Sequence, residues 1–328
     1  MKKRKLGSHG PEVSAIGLGC MGMSEFYGST DDDMSKKVLL RALENGVTLL
    51  DTSDTYGDGH NERLIADVIK TWDRDVFIAT KFGIVRKPGA YERQICGRPD
   101  YVRQAVEQSL KRLNVETIDL YYIHRIDTTV PIEDTVGAMA DLLRDGKIRY
   151  IGLSEPSVET VLKAHAVHPV TCIQSEYSLF TRDVETELLP VLRKNGIGFV
   201  PYSPLGRGML TGKLKQDAIQ DEKDVRRLLP RTSDENYNEN MKLVDRLKAI
   251  ADAKQITLSQ LALAWVLHQG SDIVPIPGTR SSRYLMENIE AVNVQLDHEE
   301  IKQIETIFYP GAVKGERYTA EGMKGVNA

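Results

Sequence analysis

Cysteine is scarce in this chain. Cys20, Cys96 and Cys172 are its only three, far apart and without a Cys-x-x-Cys pair, which fits reduced thiols rather than a disulfide framework. Long apolar runs are missing too. Nothing approaches the roughly 18 residues of a membrane span, and no apolar segment follows the basic start MKKRKLG, so neither a membrane protein nor a secretory leader is expected. An excess of one charge is also absent: 43 Lys and Arg stand against 47 Asp and Glu, a net charge of -4. That argues against nucleic acid or a membrane surface as partner and leaves a small molecule. No Pro-, Gly- or Ser-rich linker divides the sequence, so a single domain over residues 1–328 is expected, in the cytoplasm.

What is present is an alternation. Short apolar strands are expected at residues 16–18, 47–50, 76–80, 119–123, 150–153, 171–174, 198–202 and 273–276, with amphipathic helices between them. The helix opening at Asp100 carries Val102, Ala105, Val106, Leu110 and Leu113 on one stripe. Asn45-Gly46, Asp145-Gly146 and Asn195-Gly196 each end a helix ahead of a strand, because glycine takes the left-handed position there without a Cβ penalty. Eight βα units with short connections imply parallel strands and a closed α/β barrel, the (β/α)8 or TIM barrel. Residues 4–16, around the turn signal Ser8-His9-Gly10-Pro11, predict an N-terminal β-hairpin. The polar stretch 205–234 predicts a long loop over the C-terminal face, and a Gly-rich, charged tail from about residue 310 is expected to be partly mobile.

One stretch, VTLLDTSDTYG at residues 47–57, organises the rest. Asp51 ends a buried strand, where a carboxylate needs a cation, and Tyr56 follows five residues on. Gly17, Gly19 and Gly22 imitate the dinucleotide fingerprint of a Rossmann fold. That motif needs its third glycine inside the opening turn of a helix, whereas here the chain continues as a loop and its helix starts only near Asp31. In a barrel, chemistry gathers at the C-terminal strand ends. Asp51 and Tyr56 follow strand two, Lys81 follows strand three and His124 strand four. Alone, each has a plain explanation: a capping carboxylate, a rim aromatic, a counter-ion, a hydrogen-bonded core histidine. Four such groups at neighbouring strand ends point to one site. Lys81 is expected to lower the Tyr56 pKa while Asp51 keeps the ammonium charged, which makes Tyr56 a proton donor in reduction. His124 is suited to hold a carbonyl oxygen. No side chain donates a hydride, so a cofactor must supply it. His124 has no second ligand at metal-binding spacing, so no metal is expected.

Asp51-Thr52 to Tyr56-Gly57, Lys81 after the third strand and the stretch DLYYIH at 119–124 resemble the aldo-keto reductases over nearly the whole chain. Pro99-Asp100-Tyr101-Val102-Arg103, His124-Arg125-Ile126-Asp127 and the stretch YSPLGRG at 202–208 make it most similar to the perakine reductase, auxin-induced and pyridoxal reductase branch. The resemblance implies reversible reduction of an aldehyde or ketone by NADPH, giving an alcohol and NADP, with Asp51, Tyr56, Lys81 and His124 as catalytic tetrad. It implies Ser154 and Gln174 on the nicotinamide carboxamide, Tyr202 stacked on the nicotinamide ring, Ser203 and Leu205 along the pyrophosphate, and Lys213 on a phosphate. Gly278, Thr279 and Arg280 lead towards Glu287 and Asn288, which match adenine contacts, and Arg280, with Arg283 nearby, is implied for the ribose 2'-phosphate. This chain has Ser154-Glu155 where the family often has Ser-Asn, and Gly278-Thr279 where some members have Lys-Ser, so the NADPH preference rests mainly on Arg280. Met23, Phe26, Tyr27, Phe82 and Arg125 are expected to line the substrate pocket. Two other functions fit the same barrel: an NADPH-binding, channel-associated regulatory subunit, and a Schiff-base aldolase using Lys81. Asp51 argues against the second, since it keeps the amine charged.

Overall fold

Strands and helices alternate along the chain as the apolar pattern requires. The computed structural model describes residues 1–87, 90 and 92–328. A hairpin of β1 (Lys3–Lys5) and β2 (Glu12–Ser14) precedes β3 (Leu18–Gly19), α1 (Asp32–Glu44), β4 (Leu49–Asp51), α2 (His60–Ile69) and β5 (Phe77–Phe82). A second small hairpin, β6 (Ile84–Val85) with β7 (Gln94–Ile95), rises from the end of β5. Then follow α3 (Pro99–Leu113), β8 (Ile118–Ile123), α4 (Ile132–Arg144), β9 (Ile148–Ser154), α5 (Val158–Val167), β10 (Cys172–Glu176), α6 (Leu188–Lys194) and β11 (Gly198–Tyr202). The chain ends with α7 (Asp234–Ala253), α8 (Leu258–His268), α9 (Ser282–Glu290) and α10 (His298–Ile307).

Seven parallel strands bond in the order β3-β4-β5-β8-β9-β10-β11. The eighth place, expected as a strand at 273–276, is filled by an irregular segment. Pro275 and Pro277 have no N–H to donate, so a regular ladder cannot form. Instead Val274 and Ile276 donate to the carbonyls of Phe199 and Pro201, while Gly17 and Gly19 donate to the carbonyls of Pro275 and Pro277. The segment thus bonds both edges and closes the (β/α)8 barrel. The helix stops are as expected, with Gly46, Gly146 and Gly196 at φ 81°, 74° and 67°. Gly22 lies in a single 3-10 turn, and α1 begins after its N-cap Asp31, so the Rossmann arrangement is absent.

Strand alternation separates two apolar layers. Leu49, Ala79, Leu120, Tyr122, Cys172, Val200 and Val274 fill the lumen, together with Leu6 and Val13. Their neighbours Leu50, Ile78 and Tyr121 pack outward against the helices. The N-terminal hairpin plugs the lower end: Arg4 donates to the carbonyls of Leu267, Gly270 and Ile273. The approach is close enough to need glycine, since a Cβ on Gly198 would lie 2.5 Å from the Gly7 nitrogen. Only the C-terminal end remains open.

Two segments cover that end. The long loop expected after β11 is present and is built of 3-10 turns, at Gly206–Thr211, Gln216–Ile219, Val225–Leu228 and Pro230–Thr232. The tail after α10, expected to be partly mobile, folds back over the barrel mouth. Arg317 makes two bonds to Glu155, at 3.1 and 2.9 Å, Asn327 donates to the Glu155 carbonyl and Ser157 to that of Ala328. No helix among the described residues is long and apolar enough to cross a membrane.

Candidate active site

Adjacent strands carry the candidate groups to one place. Asp51 of β4 pairs with Ala79 of β5, and Lys81, two residues further along β5, pairs with Tyr122 of β8, just ahead of His124. Ala79 and Lys81 share the lumen face, while Thr80 turns outward to donate to Glu62 of α2 at 2.7 Å. Lys81 is completely buried. Its Nζ donates to Asp51 Oδ1 at 2.5 Å, the Thr52 carbonyl at 2.7 Å and the Tyr56 hydroxyl at 3.2 Å, so each ammonium hydrogen has an acceptor. The second Asp51 oxygen accepts from Gln174 Nε2 at 2.7 Å. His124 meets Tyr56 edge-on, with ring centroids 5.6 Å apart, and its Nδ1 lies 3.1 Å from Ser53 Oγ. When that hydroxyl donates, the imidazole hydrogen sits on Nε2.

Burial pushes the Tyr56 phenol up to about 12, and Lys81, which pulls the other way, does not reverse it. The expected lowering is therefore not found, because loss of water outweighs the neighbouring ammonium. Tyr56 keeps its proton through the neutral range. Burial works against charge on Lys81, but Asp51 and Tyr56 outweigh it and raise the Lys81 pKa. Burial also raises the Asp51 carboxyl against the pull of Lys81 and Gln174, while the N–H donors on its two oxygens favour the carboxylate. His124 is held well below the usual histidine range by burial and then by Lys81, Arg125, Arg93 and Arg86, so its ring is neutral.

A cavity of about 420 Å³ opens above these groups, with Asp51, Tyr56 and His124 in its wall. Met23, Phe26, Tyr27 and Arg125 line it. Phe82 does not. It stacks on Tyr121 at 4.8 Å in the strand–helix core, because alternation turns it to the face opposite Lys81. Ser154, Gln174 and Tyr202 lie near the tetrad, Ser203, Leu205 and Lys213 along the turns after β11, and Gly278, Thr279, Arg280 and Asn288 at the segment leading into α9, all in the same wall. Glu287 stands outside it, paired with Lys213 at 3.4 Å and Arg283 at 3.3 Å. Arg280 donates to the carbonyls of Tyr27, at 2.7 Å, and Ser29. Among the described residues no cluster of His, Cys, Asp or Glu is able to hold a metal.

The family model described as the aldo/keto reductase family matches residues 15–308. The chain belongs to the aldo/keto reductase family. It is 46% identical over 316 residues to a Glycine max protein named probable aldo-keto reductase 1, spanning 96% of this chain and 91% of that one. Among solved structures it is similar to the glycerol dehydrogenase AKR11B4 from Gluconobacter oxydans, at 30% identity and a TM-score of 0.85 over 93% of this chain and 94% of that one. It is also similar to the holo form of the aldo-keto reductase AKR11C1 from Bacillus halodurans, at 27% identity and a TM-score of 0.79 over 98% and 99% of the two chains. The family consists of oxidoreductases that use a nicotinamide cofactor on small carbonyl compounds, and the barrel described above is its fold.

Two carboxylates shape the mouth of this aldo/keto reductase: Glu155, noted in the sequence only as a departure from the family's Ser-Asn pair, and Glu176, not named from the sequence. Glu155 follows β9 with φ at 57° and accepts from the Tyr202 hydroxyl at 2.7 Å as well as from Arg317. The Tyr202 hydroxyl also lies 2.9 Å from that of Tyr318. Glu176 ends β10 and pairs with Arg207 at 2.7 Å and Arg231 at 3.4 Å. Burial would raise its carboxyl, but Arg207, Arg231 and Arg317 hold it below the usual range. Both glutamates stand at strand ends as Asp51 does, and that position was their signal. Their arginine partners come from the turns after β11 and from the tail, with no local signal.

Proposed function

We propose that this chain reduces aldehydes or ketones to alcohols with NADPH, reversibly, and that Tyr56 is the proton donor. The observation that supports this most directly is the Lys81 bond set, in which one buried ammonium joins Asp51 to the Tyr56 hydroxyl in the wall of a cavity. When bound, the dinucleotide supplies the hydride that the carbonyl carbon takes. Tyr56 gives its proton to the carbonyl oxygen, and Lys81, kept charged by Asp51, stabilises the phenolate left behind. Neutral His124 donates to the same oxygen from Nε2 and positions it.

The residues present suit a phosphorylated dinucleotide. Lys213 and Arg280 both line the cavity, and Arg280 directly precedes α9, whose N-terminal amides and dipole favour an anion. Ser203, Leu205, Lys213, Gly278, Thr279 and Asn288 would hold the pyrophosphate and adenosine, joined by Glu287 once it leaves Lys213. Ser154, Gln174 and Tyr202 would hold the nicotinamide end; one Gln174 N–H is already given to Asp51, leaving its other N–H and its carbonyl for the carboxamide. The three cysteines are free, which supports a reducing, cytoplasmic setting. Arg280 carries the NADPH preference, since its planar fork matches a phosphate. Arg280→Ala is expected to lower kcat/KM with NADPH by about tenfold or more, the value of a charged hydrogen bond, and to change that with NADH far less. Equal losses with both cofactors would show that Arg280 serves only to tie down Tyr27 and Ser29.

A further inference from the structure

Arg125, a buried cation at the barrel mouth, has no ion-pair partner among the described residues. Arg86 is matched by Glu25, Arg207 and Arg231 by Glu176, Arg226 by Asp224 and Arg317 by Glu155. Arg125 is 5% exposed and stands in the cavity wall beside the tetrad, yet no carboxylate lies within ion-pair distance of it among the described residues. Its Nη1 donates to the His124 carbonyl at 2.8 Å and to Ser154 Oγ at 3.1 Å. Its Nε has no partner. Nε is closed off from the cavity, whereas Nη2, which makes no hydrogen bond among the described residues, is left to meet a ligand. A buried guanidinium left this way is costly unless a ligand completes it.

The surroundings point the same way. After burial, the groups that depress the His124 pKa most are all cations, Lys81, Arg125, Arg93 and Arg86. Glu155 is near enough to act on Arg125, but Arg317 already occupies both of its oxygens. Met23, Phe26 and Ile84 supply apolar wall. We propose that Arg125 anchors an anionic group of the substrate, so that the preferred substrates are aldehydes or ketones carrying a carboxylate a few bonds from the carbonyl. Nη1, fixed on the His124 carbonyl and Ser154, holds the guanidinium in the cavity wall with Nη2 left for that anionic group. The inference rests on the site being a carbonyl-reducing centre.

The test compares 2-, 3- and 4-carboxybenzaldehyde with their methyl esters, which keep the ring and the aldehyde and lose the charge. With NADPH, at least one acid is expected to exceed its ester in kcat/KM by about tenfold or more, mainly through KM, as a charge-assisted pair implies. Arg125→Met should abolish that preference, and Arg125→Lys, which keeps the charge without the fork, should retain part of it. A second readout is equilibrium binding of the corresponding hydroxymethylbenzoates to the NADP-loaded protein. That binding should be lost in Arg125→Met while thermal melting shows the variant folded. Acids and esters turned over equally by the wild type, or a preference that survives Arg125→Met, overturns the proposal. Loss of NADP binding in Arg125→Met without selective loss of the carboxylates also overturns it and assigns the guanidinium to the cofactor. If no aldehyde is turned over, the reductase assignment fails separately, and hydroxymethylbenzoate binding alone decides whether Arg125 is an anion anchor.

Discussion

Tyr56→Phe is expected to keep cofactor binding and to lose aldehyde turnover by about 10²- to 10⁴-fold, the usual contribution of a positioned general acid. The change removes one oxygen and little else. The ring keeps its edge contact with His124, and Lys81 keeps its bonds to Asp51 and the Thr52 carbonyl, so the barrel stays intact. Steady-state kcat together with a fluorescence titration of the cofactor separates the two effects. The proton count also has a pH signature. With the phenol pushed up to about 12 by burial, its acid form is present below that value and is lost only as pH rises through it. Reduction by the wild type should therefore stay level between about pH 6 and about pH 9, well below the range in which a tyrosine ionises. A fall in kcat/KM through neutrality that disappears in Tyr56→Phe would mean that bound cofactor reverses the effect of burial.

Lys81→Met is expected to be the most damaging single substitution. It leaves the buried Asp51 carboxylate with only Gln174 as side-chain donor, and breaking a buried pair from one side costs about 3–5 kcal/mol. Activity should fall at least as far as in Tyr56→Phe, since the phenolate would lose its stabilising cation. Adding Asp51→Asn to Lys81→Met removes the stranded charge, so the double variant should regain much of the stability and none of the activity. Denaturation midpoints for wild type, both single variants and the double variant measure this coupling. Independent, additive losses would show that the two side chains do not act as a pair.

What the chain disclosed in advance was local. Asp51, Lys81 and His124 each follow an apolar run, and the glycine stops after Asn45, Asp145 and Asn195 place the next strands, so their meeting at one end follows from the barrel. Phe82 is adjacent to Lys81 in sequence but not in the cavity wall, since a period of two sends neighbours to opposite faces. The last strand was expected to be regular although Pro275 and Pro277 remove its donors. The direction of the Tyr56 pKa depended on burial, which charge spacing does not reveal. Arg317 and Tyr318 enter the mouth from a tail whose polar composition resembles a free end. Glu155 stands 162 residues away from Arg317, and only the folded chain brings them together.

Steady-state oxidation of NADPH in the presence of a simple aldehyde, with the alcohol quantified alongside, tests the central claim most directly. One alcohol should appear for each NADPH oxidised, over many turnovers, and both signals should vanish together in Tyr56→Phe. NADPH bound firmly by the wild type, with no alcohol formed from any aldehyde or ketone offered, would contradict this and leave the barrel as a cofactor-binding regulatory subunit.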